Sequence, residues 1–513
     1  MLLPWLILLP FIGGLLCWQS ERFSRALPRW IAVLSMVLTL LLSLMMWGQG
    51  HFSLAMPQGI PQWQSEFILP WIPRFGISFH FALDGLSLLM VVLTAFLGLL
   101  SIVCSWNEVD KREGLFHLNL LWIVGGVMGV FLAIDMFLFF FFWEMMLIPM
   151  FFLIALWGHK GSDERTRIAT AIKFFIYTQV SGLVMLVAII GLVFVHYRAT
   201  GVWTFDYNHL IGTKMSSPVA YLLMLGFFVA FAVKMPLIPL HGWLADAHAQ
   251  SPTAGSVDLA GLLLKTAAYG LLRFVLPFFP HASAEFAPIA MWLGVISIFY
   301  GAWLAFSQTD IKRLIAYSSV SHMGFVMVAI YTGSQLAYQG AIVMMIAHGL
   351  SAAGLFILCG QLYERIGTRD MREMGGLWGR LRYMPGLSLF FAVASLGMPG
   401  TGNFVGEFMM LFGSYKVVPL ITIISTFGVV FASVYSLVMI HRAYYGEAKS
   451  DAPLAVMSIR EFSMILSLVV LLVLLGIFPQ GVLETSHAAI ANIQHYFMTA
   501  SSLSITGTST TGL

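Results

Sequence analysis

Two lysines lie deep inside apolar stretches of a chain that otherwise keeps its charges in short loops. Lys234 lies in GFFVAFAVKMPLIPL and Lys265 lies in LAGLLLKTAAYGLL. A cation in the middle of a membrane costs about 2.5–3.5 kcal/mol on insertion scales, so such residues are rare, need a partner or water, and mark functional sites. The two lysines therefore predict a site where protons, or another small cation, cross a membrane.

An acid lies in an equally apolar stretch, because Glu144 is enclosed in FFFFWEMMLIPMFF. Opposite Lys234, this carboxylate would ionise and hold the lysine charged, and separation of the pair would favour loss of the lysine proton. The alternative is a buried ion pair that only locks two helices together. An ion pair that only locks two helices needs no break in either helix, but Pro236 and Pro239 closely follow Lys234. We therefore favour a pair that controls whether Lys234 keeps its proton.

The break itself is predicted from Pro236 and Pro239, which have no amide hydrogen. The carbonyls of Ala232 and Met235 should therefore lose their helical partners. Irregular backbone at this depth survives only where protein or water surrounds it, so we expect water beside Lys234. A simple proline kink in a packed helix is the alternative interpretation.

Three more titratable groups lie on later apolar segments. His322 in AYSSVSHMGF and His348 in IVMMIAHGL are lone histidines, which are usually satisfied core residues, but neutral imidazole can both accept and donate a proton. Glu407 is the last residue of GMPGTGNFVGE, the second break, where Pro399 should free the carbonyl of Ser395. The sequence thus predicts a central row of exchangeable groups: Glu144, Lys234, Lys265, His322, His348 and Glu407.

Asp258 is a candidate relay on the inner side of this row. It precedes Lys265 by seven residues, about two turns of an α-helix, on the same face. The segment before it, HGWLADAHAQSP, carries His241, Asp246 and His248, which could pass protons to Asp258. These three residues could equally form only a solvated loop, and the sequence leaves both interpretations open.

The composition indicates what kind of elements position these groups. Of 513 residues, 59% are hydrophobic and 10% are charged, whereas soluble domains carry about 25% charged residues. The chain is therefore a polytopic membrane protein, and its net charge of +3 is too small to argue for nucleic acid. Its three cysteines are scattered and no nucleotide-binding glycine pattern occurs, so we expect no bound metal, haem, iron–sulfur cluster or nucleotide.

Apolar runs of about 20 residues predict fourteen transmembrane spans. They lie near 2–19, 28–47, 84–105, 115–134, 136–157, 169–196, 217–240, 252–275, 286–306, 311–332, 338–363, 384–412, 417–441 and 461–479. Most lysines and arginines fall in loops after odd-numbered spans, so we expect both termini on the outer side. The first run lacks a basic leader and a cleavage site, which is typical of a span and not of a signal peptide.

A repeat is indicated by two pairs of features five spans apart. Spans seven and twelve each contain Met-Pro inside an apolar run, and Asp135 and Asp310 open spans five and ten. Interrupted helices at matching positions of two halves are typical of inverted-repeat transporters. We therefore predict an all-α membrane protein of about 14 helices with two inverted five-helix repeats and broken helices 7 and 12. The expected divisions are 1–114, 115–280 (helices 4–8), 281–445 (helices 9–13) and 446–513.

Two further expectations concern the outer surface. Alternation of Ile77, Phe79 and Phe81 with polar residues predicts a short strand or hairpin at the end of the loop 48–83. The last dozen residues, which end in SITGTSTTGL, should be poorly ordered.

The stretches VKMPLIPLHGWLADAHAQSP, FWEMMLIPM and LLKTAAYGLLRF resemble the antiporter-like subunits of respiratory NADH:quinone oxidoreductase (complex I). Those subunits are related to subunits of multisubunit sodium/proton antiporters and of membrane-bound hydrogenases. The resemblance covers residues 1–480. Glu407 on span twelve, where sister subunits have a lysine, and the lack of a long lateral helix after span fourteen point to one subunit class within the family.

The resemblance implies that Glu144 is the pairing acid, Lys234 the proton-carrying lysine, and Lys265 the bridge from an inner half-channel. It also implies that His322 and His348 line the central row and that Glu407 is the outlet, whereas Asp258 matches no role known in the family. No redox centre is expected in this chain, and flavin, iron–sulfur clusters and quinone belong to partner subunits.

The implied function is outward proton translocation in a bacterial inner membrane, beside other membrane subunits, the neighbouring antiporter-like subunits above all, and lipids. One alternative is a subunit of a multisubunit cation/proton antiporter or of a membrane-bound hydrogenase. Another is a purely structural membrane spacer, which the buried charges at two broken helices disfavour.

Overall fold

A computed structural model describes residues 1–52 and 62–507 of the protein. In this part of the chain, 12 helices are long and apolar enough to cross a membrane, and Trp5–Ser20 and Met384–Ser395 are shorter apolar helices. Each of the fourteen predicted spans falls on one of these segments. The prediction of an all-α polytopic membrane protein is confirmed.

The helices up to the first break include one short surface helix, α8, and an interrupted span formed by α5 and α6. They are α1 Trp5–Ser20, α2 Leu27–Gln49, α3 Gly85–Cys104, α4 Glu113–Leu132, α5 Met136–Met145, α6 Leu147–Trp157, α7 Glu164–Thr200, α8 Tyr207–Leu210 and α9 Ser217–Lys234.

The helices after the first break include one span, Thr253–Phe278, in which two π-helical segments, Leu259–Leu263 and Leu271–Val275, separate three α-helical pieces. They are α10 Leu244–Gln250, α11 Thr253–Asp258, α12 Leu264–Gly270, α13 Leu276–Phe278, α14 Pro280–Ser307, α15 Ile311–Ile330, α16 Gln335–Ile366, α17 Met384–Ser395, α18 Gly402–Tyr415, α19 Pro419–Tyr444, α20 Ile459–Ile477 and α21 Gln480–Gly507.

The predicted strand is confirmed as the second strand of a hairpin. Strand β2, Ile77–Leu83, pairs antiparallel with β1, Ser65–Ile72. Residues 53–61 of the preceding loop lie outside the described residues. Because Asp84 follows β2 directly and caps α3, the hairpin also sets where α3 begins.

The two aspartates that suggested a repeat have the same local role. The Asp135 carboxylate accepts from the amide of Leu138 and caps α5, and the Asp310 carboxylate accepts from the amide of Lys312 and caps α15. A carboxylate at this position satisfies an amide that the first turn leaves unpaired and compensates the helix dipole. Both helices therefore begin at the residue that the sequence predicted.

The backbone around these caps is also repeated. A pair of reciprocal amide–carbonyl hydrogen bonds ties the residues beside Asp135 to those beside Asp206, and an equivalent pair ties Asp310 to Asp370. The bonds run from Met136 N to Phe205 O and Tyr207 N to Ile134 O, and from Ile311 N to Arg369 O and Met371 N to Thr309 O. In each repeat this link joins the start of one span to the loop after the next long helix.

The two breaks share one hydrogen-bond pattern. At the end of α9, the amide of Leu237 donates to Ala232 O at 3.0 Å. At the end of α17, the amide of Met398 donates to Val393 O at 3.3 Å. In both cases the helix ends with a bond that spans five residues instead of four.

This hydrogen-bond pattern corrects the alignment of the two repeats that was based on the Met-Pro sequence in each. It pairs Leu237 with Met398, and hence Pro236 with Gly397, two residues away from the match that the sequence suggested. Gly397 has φ +88°, a conformation that favours glycine because a side chain would clash with the backbone. The break is therefore conserved between the halves as backbone geometry, while the residues that produce it differ.

The most enclosed spans are Thr253–Phe278, α15 and α16, which form the centre of the molecule. By contrast, α2 and α20 are largely exposed at the periphery. The C-terminal helix α21 packs back on the body, since the Gln494 side chain donates to Gly333 O. This helix extends to Gly507, into the dozen residues that were predicted to be poorly ordered, and the last six residues lie outside the described part.

Candidate functional site

Glu144 lies near the end of α5 and packs against α7. A Cβ atom on Gly182 would overlap the Oε1 atom of Glu144, so the carboxylate occupies the space that this glycine leaves empty. The Gln179 side chain, one turn earlier on α7, also interacts with the carboxylate. The helix α7 thus fixes where the acid points.

Lys234 is the last residue of α9, and only 2% of its surface is exposed. Its Nζ atom lies 4.0 Å from the ring centroid of Trp143, an arrangement that stabilises a cation by attraction to the aromatic face. Among the described residues, no ion pair within 4.0 Å joins Lys234 to Glu144, although the two charges act on each other. The expected pair is therefore open in this structure, and the indole of Trp143 stabilises the ammonium.

The break after Lys234 is satisfied mainly by protein atoms. The Ala232 carbonyl accepts from the Leu237 amide, and the Val233 carbonyl accepts from the indole of Trp243 at 2.8 Å. The prediction that the Ala232 carbonyl is free was wrong, because the chain turns back after Pro236 and supplies an amide five residues along. Water beside Lys234 stays a prediction.

Lys265 is the second residue of α12, which follows the first π-helical segment directly, and it is fully buried. Its Nζ atom donates to Ala260 O at 2.7 Å and lies 2.5 Å from Nδ1 of His348 on α16. The amine therefore has one backbone acceptor and one titratable acceptor. A proton on Lys265 can pass directly to His348.

From His348 the row continues through side chains in contact. His348 Nε2 lies 3.1 Å from the Ser319 hydroxyl, and its ring centroid lies 5.5 Å from that of His322. His322 Nδ1 lies 3.8 Å from Glu407 Oε1, and its Nε2 lies 3.4 Å from the Tyr435 hydroxyl. The four predicted groups from Lys265 to Glu407 are thus brought together.

The Glu407 carboxylate packs against a glycine, as the Glu144 carboxylate does, but this glycine lies at a helix break and not inside a long helix. A Cβ atom on Gly397 would overlap Oε2 of Glu407, so the glycine of the second break makes room for this carboxylate. The side chain of Glu407 is 6% exposed. Both acids of the row therefore pack on a glycine, where a larger residue would displace the carboxylate.

Asp258 is fully buried, and within the described residues neither carboxylate oxygen has a hydrogen-bond partner. Ser101 lies beside it, but the Ser101 hydroxyl donates to Gly98 O at 2.8 Å. The same-face argument assumed an α-helix, whereas the π-helical segment Leu259–Leu263 lies between Asp258 and Lys265. That premise was wrong, and no ion pair within 4.0 Å joins these two side chains in the described chain.

The segment before Asp258 is more ordered than a solvated loop. The Asp246 carboxylate binds Lys173 and Arg313, each at 2.7 Å. His248 is fully buried and stacks on Phe356 with ring centroids 4.4 Å apart. The solvated-loop interpretation is therefore wrong for His248, and Asp246 is held between two cations.

A cavity of about 560 Å³ opens near the start of α11. Its lining includes Glu108, His159, Thr253 and Lys312, and Glu108 accepts from the Thr253 amide at 3.0 Å. Burial, together with the nearby cation Arg369, lowers the pKa of His159 to about 4. The cavity is therefore a polar recess at the same end of the helix as Asp258.

The row has two gaps within the described residues. One separates Glu144 from Lys234, which no ion pair joins, and the other separates Lys234 from Lys265. No hydrogen bond, ion pair or ring contact joins Lys234 to Lys265 there. The row therefore divides into a pair, Glu144 and Lys234, and a connected series from Lys265 to Glu407.

Sequence reasoning missed four residues that shape the site, together with the contact between Gly397 and Glu407. Trp143 was adjacent to Glu144 and could have been found as an aromatic partner for a buried cation. The other three, which only tertiary packing reveals, are Gly182, Ser319 and Tyr435.

Residues 133–436 match the family model described as NADH:quinone oxidoreductase/Mrp antiporter, TM. NADH-quinone oxidoreductase subunit M of Escherichia coli (strain K12) is 75% identical over 501 residues, which cover 97% of this chain and 98% of that protein. A chain of respiratory complex I from Thermus thermophilus with bound NADH has a TM-score of 0.85 and 30% identity, over 97% of this chain and all of that one. A chain of the Mrp complex from Dietzia sp. has a TM-score of 0.84, and its 20% identity, over 97% of this chain and 99% of that one, shows a shared fold alone.

Proposed function

Since the chain belongs to the NADH:quinone oxidoreductase/Mrp antiporter family, we propose that it is a proton-translocating membrane subunit of an NADH:quinone oxidoreductase. It moves protons outward through the row of buried groups, and quinone reduction in other subunits drives the movement. The row is formed by Glu144, Lys234, Lys265, His322, His348 and Glu407, with Asp258 as an inner relay.

The observation that carries the proposal is the close succession of titratable groups from Lys265 to Glu407. Hydrogen bonds join Lys265, His348 and Ser319, and His322 lies 5.5 Å from His348 between ring centroids and 3.8 Å from Glu407. A charged Lys265 donates its proton to Nδ1 of His348, the imidazole releases a proton from Nε2 beside Ser319, and His322 takes it toward Glu407. Each member can bind and release a proton, as a relay requires. A structural core would not need four titratable groups in contact at this depth.

The pair Glu144 and Lys234 supplies the driving element. When the carboxylate closes on the ammonium, it favours the charged lysine, and when the two separate, the buried lysine favours loss of its proton. The structure, in which Trp143 holds the ammonium and Gly182 seats the acid, corresponds to the open arrangement. Lys234 lies at the end of α9, directly before the interruption of the helix.

The proposal places the chain in a bacterial inner membrane with both termini on the outer side. The excess of lysine and arginine in loops after odd-numbered spans supports this orientation. The two repeats are residues 115–280 and 281–445, with helices 1–3 before them and helix 14 after them. The partners are the other membrane subunits, above all the neighbouring antiporter-like subunits, and flavin, iron–sulfur clusters and quinone belong to the subunits that carry electrons.

The test is NADH-driven proton pumping by membranes that carry Lys234→Ala. We expect loss of most of the pumping that depends on this chain, with the complex still assembled. Lys416→Ala is the matched control, because Lys416 is an exposed lysine of the same chain. Normal proton pumping at a normal rate of NADH oxidation in Lys234→Ala would contradict the proposal.

The second candidate is a subunit of a multisubunit cation/proton antiporter or of a membrane-bound hydrogenase. The chain shares its fold with a chain of the Mrp complex. Purification separates the two candidates. An NADH:quinone oxidoreductase subunit should copurify with flavin and iron–sulfur proteins, whereas a free antiporter should not.

A further inference from the structure

A second polar cluster lies at the opposite end of the helix that carries Lys265. Arg273, in the second π-helical segment, is 4% exposed, and its Nη2 atom lies 2.6 Å from Asp84 Oδ1 at the start of α3. Its Nε atom donates to the Tyr269 hydroxyl at 3.2 Å, and its guanidinium lies over the Trp63 ring at 5.0 Å. The cluster lies on the hairpin side of the molecule, which is the outer side in the proposed orientation.

The hydrogen bonds of this cluster cannot relay a proton. A relay group must accept one proton and donate another, but a guanidinium only donates and keeps its protons in proteins. The single hydroxyl hydrogen of Tyr269 goes to the carbonyl of Phe131 at 3.0 Å, which cannot pass a proton on. Asp84 Oδ1 already accepts from Arg273 and from both the amide and the hydroxyl of Ser87.

The other end of the same helix is built differently. Neither carboxylate oxygen of Asp258 has a hydrogen-bond partner among the described residues, so no ion pair fixes this titratable acid in its charged form. Lys265 lies between the two ends and contacts His348 sideways. The two ends of the helix therefore differ, because one carries a titratable acid without a fixed partner and the other carries a guanidinium held in an ion pair.

We propose that Arg273, held by Asp84 and Tyr269, is a seal that stops protons from escaping along the first repeat to the outer side. The guanidinium keeps its own protons and cannot accept another, and its hydrogen bonds to Asp84 and Tyr269 hold it at this end of the helix. A proton that reaches Lys265 therefore moves to His348 and leaves through the second repeat. This role rests on the proposed function, and Arg273 acts as a positioning residue, not as a carrier.

The test is the passive proton permeability of the purified complex in proteoliposomes, measured as the decay of an imposed pH gradient without NADH. Arg273→Gln should speed the decay several-fold and lower the number of protons pumped per NADH, with the uncoupled rate of NADH oxidation unchanged. Arg273→Lys keeps the positive charge, so the pH gradient should decay as slowly as in the parent. A gradient that decays in Arg273→Gln as slowly as in the parent would overturn the seal.

The matched control is Arg365→Gln. Arg365 forms a similarly buried ion pair with Glu461 at 2.8 Å, with side chains 5% and 8% exposed against 5% and 10% for Arg273 and Asp84. The control should stay tight, because it removes a buried pair of the same kind elsewhere. Equal leakage in both variants would mean general loosening and would also overturn the proposal.

Removing one partner leaves an unpaired buried charge and can prevent assembly. Should Arg273→Gln not assemble, the double variant Asp84→Asn/Arg273→Gln, which leaves no charge behind, is measured against Arg365→Gln/Glu461→Gln. The double variant should leak and its control should not, and a tight double variant contradicts the seal. Because the leak is measured without NADH, its outcome is independent of the Lys234→Ala pumping test of the proposed function.

Discussion

The two repeats share backbone positions but carry different chemistry at them. Glu144 lies nine residues after the capping Asp135, and Ser319 lies nine residues after the capping Asp310. On the neighbouring long helices, Gly182 and His348 lie at a second shared position, each nineteen residues before the glycine that ends its helix. The glycines in question are Gly201 and Gly367.

In both repeats these two positions are in contact. In the first, the carboxylate of Glu144 fills the space beside Gly182, and in the second, the hydroxyl of Ser319 lies 3.1 Å from Nε2 of His348. One contact therefore holds an acid against bare backbone, and the other holds a hydroxyl against an imidazole. The duplicated fold thus provides the same pair of neighbouring positions twice, and we call each pair a seat. The side chains at the first seat belong to a charged pair, and those at the second belong to a neutral relay.

The breaks differ in the same way. The first repeat places its cation, Lys234, just before the break, where the second has Ser395, whose hydroxyl donates to Phe391 O. The second repeat instead places its acid, Glu407, after the break and seats it on Gly397. Charge at the second break is therefore carried by one acid beside His322.

The largest expected effect distinguishes the two equivalent seats. Glu144→Ala should abolish most of the pumping by this chain, because it removes the charge that controls Lys234, whereas Glu144→Asp keeps the charge and should be less harmful. Ser319→Ala, at the equivalent position, should reduce pumping only modestly, since His348 still contacts Lys265. NADH-driven pumping in membranes measures both, and equal losses would show that the seats do not differ in function.

A somewhat smaller effect is expected when a methyl group is added at Gly182, in the space that the Glu144 carboxylate occupies. Gly182→Ala should displace the Glu144 carboxylate by about the size of a methyl group, and a misplacement of about 1 Å in a catalytic group can cost on the order of a hundredfold in rate. Gly201→Ala is unsuitable as a control because of its positive φ, but Gly386→Ala meets open space. Pumping in Gly182→Ala equal to that in Gly386→Ala would contradict the seat.

The outlet gives an intermediate effect. Glu407→Gln should impair outward release, because the amide cannot exchange a proton with His322, and Glu407→Lys should keep partial activity if only a titratable group is needed there. Proton uptake and release on the two sides of the membrane are measured separately. Unaltered release in Glu407→Gln would remove this residue from the path.

The smallest effect concerns Asp206 and Asp370, the aspartates of the two backbone links, which lie outside the membrane-spanning helices. Burial raises the pKa of Asp206, but hydrogen bonds from His80 and Asn208 outweigh it and hold the pKa below its usual value. At Asp370 the hydrogen bond from Arg372 lowers the pKa, but that carboxylate is 27% exposed against 17% for Asp206, and its partner Arg372 is 73% exposed. Because both pKa values are depressed in the folded state, each acid stabilises the fold above its unfolded pKa and loses this as the pH falls through the folded pKa.

We therefore expect Asp206→Asn to lower the unfolding temperature at pH 7 by more than Asp370→Asn does. The difference should shrink as the pH falls below about 4, where the aspartates become protonated. Thermal unfolding of the purified complex between pH 3 and 7 tests this order. A larger effect of Asp370→Asn would contradict it.

The sequence alone determined the spans, the caps and the candidate groups. Each of these depends on local properties: hydropathy over about 20 residues, a carboxylate before a helix, proline without an amide, and a charge where apolar residues surround it. For that reason the fourteen spans, the hairpin strand and both broken helices were predicted correctly. The titratable residues of the row were proposed from the same local signals, and their roles stay predictions.

Only the tertiary structure decided which of these groups touch. Lys265 and His348 are 83 residues apart in the chain, and their contact depends on how α12 packs against α16. The π-helical segment that moves Asp258 out of register, the indole over Lys234, and the amide that satisfies Ala232 leave no signal at a fixed spacing in the sequence. Hydrogen bonds and ring contacts are set within fractions of an ångström by packing of distant helices, whereas hydropathy is summed over whole helices.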